Sequence, residues 1–255
     1  MTTRLLFLVL ALVPAACHAA PEQKQEAPQV ARAPEAMTLR ASDGVVLHGL
    51  FYAAPRPKAT ILLFHQAGSN KSEYATIAPR LAEAGYNALA IDQRSGGELF
   101  GARNATVDGV GKSSDYGDAI PDLEAAIAWA KAKGSPVILW GSSYSSALVF
   151  PVAAKHDAEV AAILAFSPGE YIDGVSIKGA AARLRAPMFV TSAKDDEEIA
   201  AAKAIFDASP SADKTQFVPK SGGVHGSSTL IAARNAKGAE ENWAAVLAFL
   251  ARVAP

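Results

Sequence analysis

From residue 37 onward the chain alternates short apolar runs with amphipathic stretches, and turn-forming residues separate them. Residues 37–40 and 45–52 flank Ser42-Asp43-Gly44, and an Asp-Gly pair between two apolar stretches predicts an antiparallel hairpin. The apolar run 60–64, a helical stretch near 72–84 stopped by Gly85, and the apolar run 88–91 read as one βαβ unit. Pro121 suits a helix's first turn, Leu123, Ile127 and Ala130 mark one face of it, and Gly134 suits the left-handed cap. A strand at 137–140, a helix at 143–155, strands at 160–166 and 188–191, a helix at 197–208 and a strand at 215–218 follow. Trp243, Val246, Leu247 and Leu250 form the apolar stripe of a closing helix.

Strands that are almost wholly apolar and alternate with helices belong to a parallel sheet covered on both faces. The expected class is α/β: a mostly parallel sheet, helices on both faces, an antiparallel hairpin in front, and one domain over 37–255. The segment between the strands at 160–166 and 188–191 is too short for a full helical cap domain, so an open site is expected. The loop 93–117, at the carboxyl end of a strand and rich in glycine, should help wall that site.

The first residues follow a different pattern. Arg4, the apolar run 5–13 and the small residues at 15–20 describe a secretory signal peptide cleaved after Ala19 or Ala20. The apolar run is shorter than the ~20 residues that cross a bilayer as a helix. The expected location is the periplasm or the medium, with no transmembrane segment after signal removal. Cys17 offers a second reading as a lipidated cysteine, against which Pro14 stands. Residues 21–36 have the composition of a flexible linker.

Composition narrows the class of partner. With 255 residues, half of them hydrophobic, the chain can bury one sizeable core. Its 24 basic and 25 acidic residues give a net charge of -1 with no long block of either sign, so no electrostatic footprint for nucleic acid exists. A small-molecule partner fits better. Cys17 is the only cysteine, so a mature chain has neither a disulfide nor a thiol nucleophile.

Candidate chemistry begins at Gly141-Ser142-Ser143-Tyr144-Ser145, directly after an apolar strand and directly before a helix. A serine exposed on a sharp strand-to-helix turn needs small residues two positions before and after it. Gly141 and Ser145 meet that need for Ser143, whereas Ser142 would place Trp140 at a position that must be small. Ser143 is the candidate nucleophile. A hydroxyl is a poor nucleophile until a base takes its proton, which calls for a late histidine and a carboxylate before it.

His225, in Ser221-Gly222-Gly223-Val224-His225-Gly226 after the last strand, is the candidate base. His18 falls in the leader, His48 in the opening hairpin and His156 at a helix end. His65 ends a strand and begins His65-Gln66-Ala67-Gly68, and it reads as a residue that shapes this loop. The expected oxyanion donors are the backbone N–H groups of Tyr144 and Ala67, with Gln66 the alternative. Asp195 and Asp196, beyond the strand at 188–191, are the candidate acids, with Asp92 a third choice.

Taken in order, the His65 loop, the Ser143 turn, the acid and His225 resemble the α/β-hydrolase superfamily, in particular its dienelactone hydrolase-like and small esterase branch, over about 37–253. The resemblance places the acid at Asp195 and leaves Asp196 to cap the next helix. The chain departs from the family pattern at Ser145 and at Gln66, where glycine is usual. The resemblance implies hydrolysis of an ester, thioester, amide or lactone through an acyl-serine, with no metal and no cofactor. The chain also has no zinc-ligand spacing and no phosphate-cradling loop. A peptidase or amidase on the same triad, and a non-catalytic binding protein of this fold, are the competing readings. Arg94 either meets an anionic substrate group or pairs with Glu98 or Asp115 to hold its loop.

Overall fold

The computed structural model describes residues 33–255 together with Thr2. The expected signal peptide at 1–20, Cys17 and most of the expected linker at 21–36 lie outside the described residues.

The chain opens with β1 (Glu35–Arg40) and β2 (Val46–Tyr52), paired antiparallel across the Asp43-Gly44 turn. Regular pairing starts at Glu35, two residues inside the segment read as linker. Then come β3 (Thr60–Phe64), α1 (Ile77–Glu83), β4 (Asn87–Ile91), α2 (Ala105–Val110), α3 (Ile120–Ala132) and β5 (Val137–Ser142). The second half holds α4 (Tyr144–Lys155), β6 (Val160–Phe166), α5 (Ile177–Ala181), β7 (Met188–Thr191), α6 (Asp196–Ala208), β8 (Lys214–Phe217) and α7 (Ala239–Val253). One eight-stranded sheet results, in the order β1-β2-β4-β3-β5-β6-β7-β8, parallel from β4 onward.

Alternation along the strands divides the core in two. Leu62 and Phe64 of β3 point to one face, packing with Leu123 and Ile127 of α3 and Leu148 of α4. Ile61 and Leu63 point to the other, with Ile77 and Leu81 of α1 and Trp243, Val246 and Leu250 of α7. All five residues of β3 are buried. Each such side chain contributes about 1.5–3 kcal/mol when withdrawn from water, so β3 and β5, covered on both faces, anchor everything attached to their ends.

Two expected elements differ in detail. The single helix expected over 72–84 is broken into a 3₁₀ turn at Lys71–Tyr74 and α1. Asn70 explains the break: its side chain accepts from Ser72 N–H and donates to the carbonyls of Leu99 (2.7 Å) and Ala102 (2.8 Å), clamping the turn to the neighbouring loop. Loop 93–117 is more ordered than expected, since it contains α2, whose N-cap Asn104 accepts from Val107 N–H. Between β6 and β7 only α5 intervenes, as the short spacing required.

Arg94 is 7% exposed and buried against carboxylates. Its guanidinium pairs with Asp122 at 2.6 Å and with Asp43, rather than with Glu98 or Asp115, and so pins the loop to α3 and the opening hairpin. With both carboxylates holding it, Arg94 has the structural role of its two readings.

Candidate active site

The parallel strands end on the same edge of the sheet, where such folds gather their ligands. β5 ends at Ser142, and the chain then turns into α4 through Ser143, whose φ of 58° and ψ of -122° lie outside the regions open to most side chains. Close packing imposes this geometry. A Cβ on Gly141 would collide with the backbone of Ser145 and Ser146, so the residue two before Ser143 has to be glycine. Ser145, which stands where the family has glycine, uses its hydroxyl: Oγ accepts from Ser142 N–H at 2.9 Å and donates to the Phe64 carbonyl at 2.6 Å. The turn is thereby tied to the end of β3.

Ser143 and His225 meet as expected, across 82 residues of chain. His225 Nε2 lies 2.8 Å from Ser143 Oγ, and Nδ1 lies 2.7 Å from Oε1 of Glu198. The carboxylate beside the histidine is therefore Glu198, and neither Asp195 nor Asp196. Asp195 is the N-cap of α6: its side chain turns back to accept from the N–H groups of Glu197 and Glu198, both at 3.1 Å. Asp196 occupies the exposed first turn of α6. Asp92 is committed elsewhere, to Lys71 at 2.6 Å and to the N–H groups of Lys71 and Ala105.

Glu198 was hidden because Asp195-x-x-Glu198 has the spacing of a capping box, in which the fourth residue usually folds back on the cap. Here its Oε2 accepts from Ala193 N–H (3.0 Å) and from Ser167 Oγ (2.7 Å), which aims Oε1 at the histidine. Ser167, directly after β6, also went unread. It holds a positive φ of 56°, and its Oγ accepts from Gly226 N–H at 2.9 Å, so one hydroxyl fixes both the carboxylate and the loop that carries His225.

Electrostatics follow from these contacts. Partial burial opposes ionisation of Glu198, but hydrogen bonds from His225, Ser167 and Ala193 outweigh it and bring the carboxyl down to about 2. The Glu198 carboxylate in turn raises His225 above its usual value, against partial desolvation. His65 behaves oppositely. Full burial lowers it to about 4, so it is neutral, with Nδ1 donating to Gln66 O at 2.9 Å and Nε2 accepting from Gln93 N–H at 2.9 Å. Wedged between two loops in this way, His65 shapes the chain after β3, with both ring nitrogens bonded to backbone groups.

Of the expected oxyanion donors, Gln66 is excluded, because its N–H is bonded to Glu73 Oε2 at 2.8 Å. The N–H groups of Tyr144 and Ala67 have no acceptor among the described residues. The Tyr144 amide opens α4, where the helix dipole adds partial positive charge. Glu73, whose side chain reaches both Gln66 and the Ser143 turn, was not singled out in the sequence at all.

Beside this constellation lies a cleft of about 650 Å³, lined by Asp115, Tyr116, Asp118, Tyr171, Ile172 and Asp173. The Tyr116 ring stacks on that of Tyr144 at 4.5 Å, and Tyr171 OH donates to the Ser167 carbonyl at 3.2 Å. The end of loop 93–117 supplies one wall of this cleft. Among the described residues no cluster of His, Cys, Asp or Glu could hold a metal ion, and no helix is long and apolar enough to cross a membrane.

Comparison with solved structures settles the architecture. An esterase of Pyrococcus furiosus superposes with a TM-score of 0.67 at 17% identity, covering 87% of this chain and 92% of that one. This is the α/β-hydrolase fold. A cold-adapted esterase from an Arctic intertidal metagenomic library shares the α/β-hydrolase fold at TM-score 0.65 and 21% identity, covering 87% and 94% of the two chains. A soluble variant of monoglyceride lipase from Saccharomyces cerevisiae does so at 0.63 and 14%, covering 92% and 98%. A family model described as serine aminopeptidase, S33, matches residues 55–178 of this chain, a range that includes Ser143 and ends before Glu198 and His225. No curated protein matches the sequence significantly.

Proposed function

We propose that this α/β-hydrolase is a serine esterase that cleaves a carboxylic ester or related acyl bond through an acyl-Ser143 intermediate. The observation that carries the reading is the chain of contacts Ser143 Oγ, His225 Nε2 and Nδ1, Glu198 Oε1, at 2.8 and 2.7 Å. His225 takes the proton of Ser143 as Oγ attacks the acyl carbon, and the Glu198 carboxylate orients the imidazole and stabilises its cationic form. The N–H groups of Tyr144 and Ala67 face the negative charge that develops on the acyl oxygen. His225 then gives its proton to the departing alcohol, and water repeats the sequence on the acyl-enzyme.

Esterases and a lipase among the structural relatives support an ester as the bond cleaved. The short α5 segment, in place of a cap, supports the small esterase branch, of which the dienelactone hydrolase-like group is the narrower reading. The test is p-nitrophenol release from short-chain p-nitrophenyl esters, with Ser143→Ala as control. Turnover lost in the control supports the assignment. Absence of both turnover and fluorophosphonate labelling sinks it and favours a binding protein of this fold.

The S33 family description favours one second reading, a peptidase acting at peptide amino termini through the same residues. Faster release from aminoacyl p-nitroanilides than from esters selects it. Export of the chain, free or anchored through Cys17, belongs to the same proposal and rests on the pattern at 1–20. Sequencing the amino terminus of protein recovered from the cell envelope and medium tests it.

A further inference from the structure

The carboxylate of Glu73 lies 1% exposed behind the Ser143 turn and is absent from the mechanism above. Its Oε2 accepts from the N–H of Gln66 at 2.8 Å, the residue before the Ala67 donor. Its Oε1 accepts from the hydroxyl of Ser142 at 2.6 Å, the residue before the nucleophile. That same hydroxyl accepts from Ser227 N–H at 2.8 Å, two residues beyond His225. Gly226 closes against it so tightly that an added Cβ would fall 2.5 Å from Ser142 Oγ.

We infer that Glu73 is a positioning residue: it ties the oxyanion loop, the nucleophile turn and, through the Ser142 hydroxyl, the histidine loop into one unit. The inference rests on the esterase reading of Ser143. A buried carboxylate is costly to keep, and an apolar side chain would fill the space at less cost if filling were the only need. What the carboxylate adds is two acceptor sites at fixed separation and a charge. A misplacement of about 1 Å at a reacting group can cost on the order of a hundredfold in rate, so the three loops, distant in sequence, need a common anchor.

Charge is the second contribution. The ionisable groups that face Glu73 are His225 on its own loop, Tyr144 on α4 and Tyr74 on the same 3₁₀ turn. Both tyrosines are held neutral by burial and by this carboxylate, so His225 is the partner that responds near neutrality. Desolvation pushes Glu73 up to about 7, against hydrogen bonds from Ser142, Gln66 and Ser69. Once ionised, it favours the imidazolium of His225, which is the form that accumulates as the nucleophile attacks.

The test compares the full chain with Glu73→Gln, Ser142→Ala and the double variant on p-nitrophenyl butyrate, alongside NMR titration of the His225 imidazole. Glutamine preserves the shape and an acceptor for Gln66 while removing the charge. The expected result is kcat lower by about tenfold to a hundredfold in each single variant, KM nearly unchanged, losses that do not add in the double variant, and a His225 titration moved to lower pH in Glu73→Gln. A Glu73→Gln enzyme with unaltered kcat and unaltered His225 titration overturns the inference while wild-type turnover, abolished by Ser143→Ala, leaves the esterase reading standing. If the wild type is inert toward esters, the esterase reading fails and the NMR titration alone decides the role of Glu73. Should Glu73→Gln not fold, Ser142→Ala decides: unchanged kcat overturns the inference.

Discussion

Glu198 Oε1 sits 2.7 Å from His225 Nδ1, while Asp195, three residues earlier, spends its carboxylate on the first amides of α6. The two acids share one helix turn and have different work. Glu198→Gln is expected to lower kcat by about a hundredfold to ten-thousandfold, because a neutral partner no longer selects the productive tautomer or stabilises the imidazolium. Asp195→Ala should leave kcat within about twofold and cost about 1 kcal/mol of stability, the usual loss for a helix N-cap. Steady-state assays and thermal melts of the two variants check both, and an inactive Asp195→Ala enzyme would return the acid's role to Asp195.

The pH dependence of kcat/KM follows from His225. Its folded value lies above 6.5, raised by Glu198, so activity should rise with pH through an apparent pKa higher than that of free histidine. Only the neutral imidazole can accept the serine proton. Glu198→Gln should move this acid limb to lower pH. A profile with its midpoint well below 6.5 in the wild type contradicts the ion pair.

Stability shows the converse window. A raised histidine contributes stability below about 6.5 and loses it as pH rises through the folded value. A carboxylate lowered to about 2 contributes above about 4.5 and loses it as pH falls. The pair therefore stabilises most between those limits, where the proposed reaction is not at its fastest. The melting-temperature difference between wild type and Glu198→Gln should be larger at pH 5.5 than at pH 8.5.

At the turn itself, two small residues have unequal tolerance. Gly141→Ala places a methyl group into the backbone of Ser145 and Ser146, and it should abolish activity or folding. Ser145→Gly introduces the glycine usual in the family the chain resembles but unties the turn from the Phe64 carbonyl. The expected cost is about 1–3 kcal/mol for the unmade buried bonds, with a smaller loss of kcat. Denaturant unfolding ranks the two.

His65 gives a prediction of opposite sign to His225. Held neutral to about pH 4, it cannot take up the proton that the unfolded chain binds below about 6.5. Its contribution is full above 6.5 and declines as pH falls toward 4, by at most about 3.5 kcal/mol at about 1.4 kcal/mol per unit. His65→Ala should be less stable at pH 8 and show a shallower loss of stability between 6.5 and 4, measured by urea unfolding.

The apolar periodicity determined the α/β class and the succession of strands and helices along the chain, and together with Asp43-Gly44 the opening hairpin, because burial on both faces of a sheet leaves a local trace in every strand. Small residues around Ser143 and the glycines around His225 were equally local, since each answers a steric demand within a few positions. The acid was another matter. Asp195, Asp196 and Glu198 carry the same chemistry within one turn, and only the docking of α6 against Ser167 and Ala193 decides which carboxylate reaches the histidine. Glu73 left no signal of its own, for its partner Ser142 is brought to it by the sheet across 69 residues of chain, and Ser227 joins only through the Ser142 hydroxyl. Steric requirements are written beside the residues that have them. Long-range hydrogen bonds exist only once the strand ends converge, so the choice among chemically equal groups belongs to the tertiary structure.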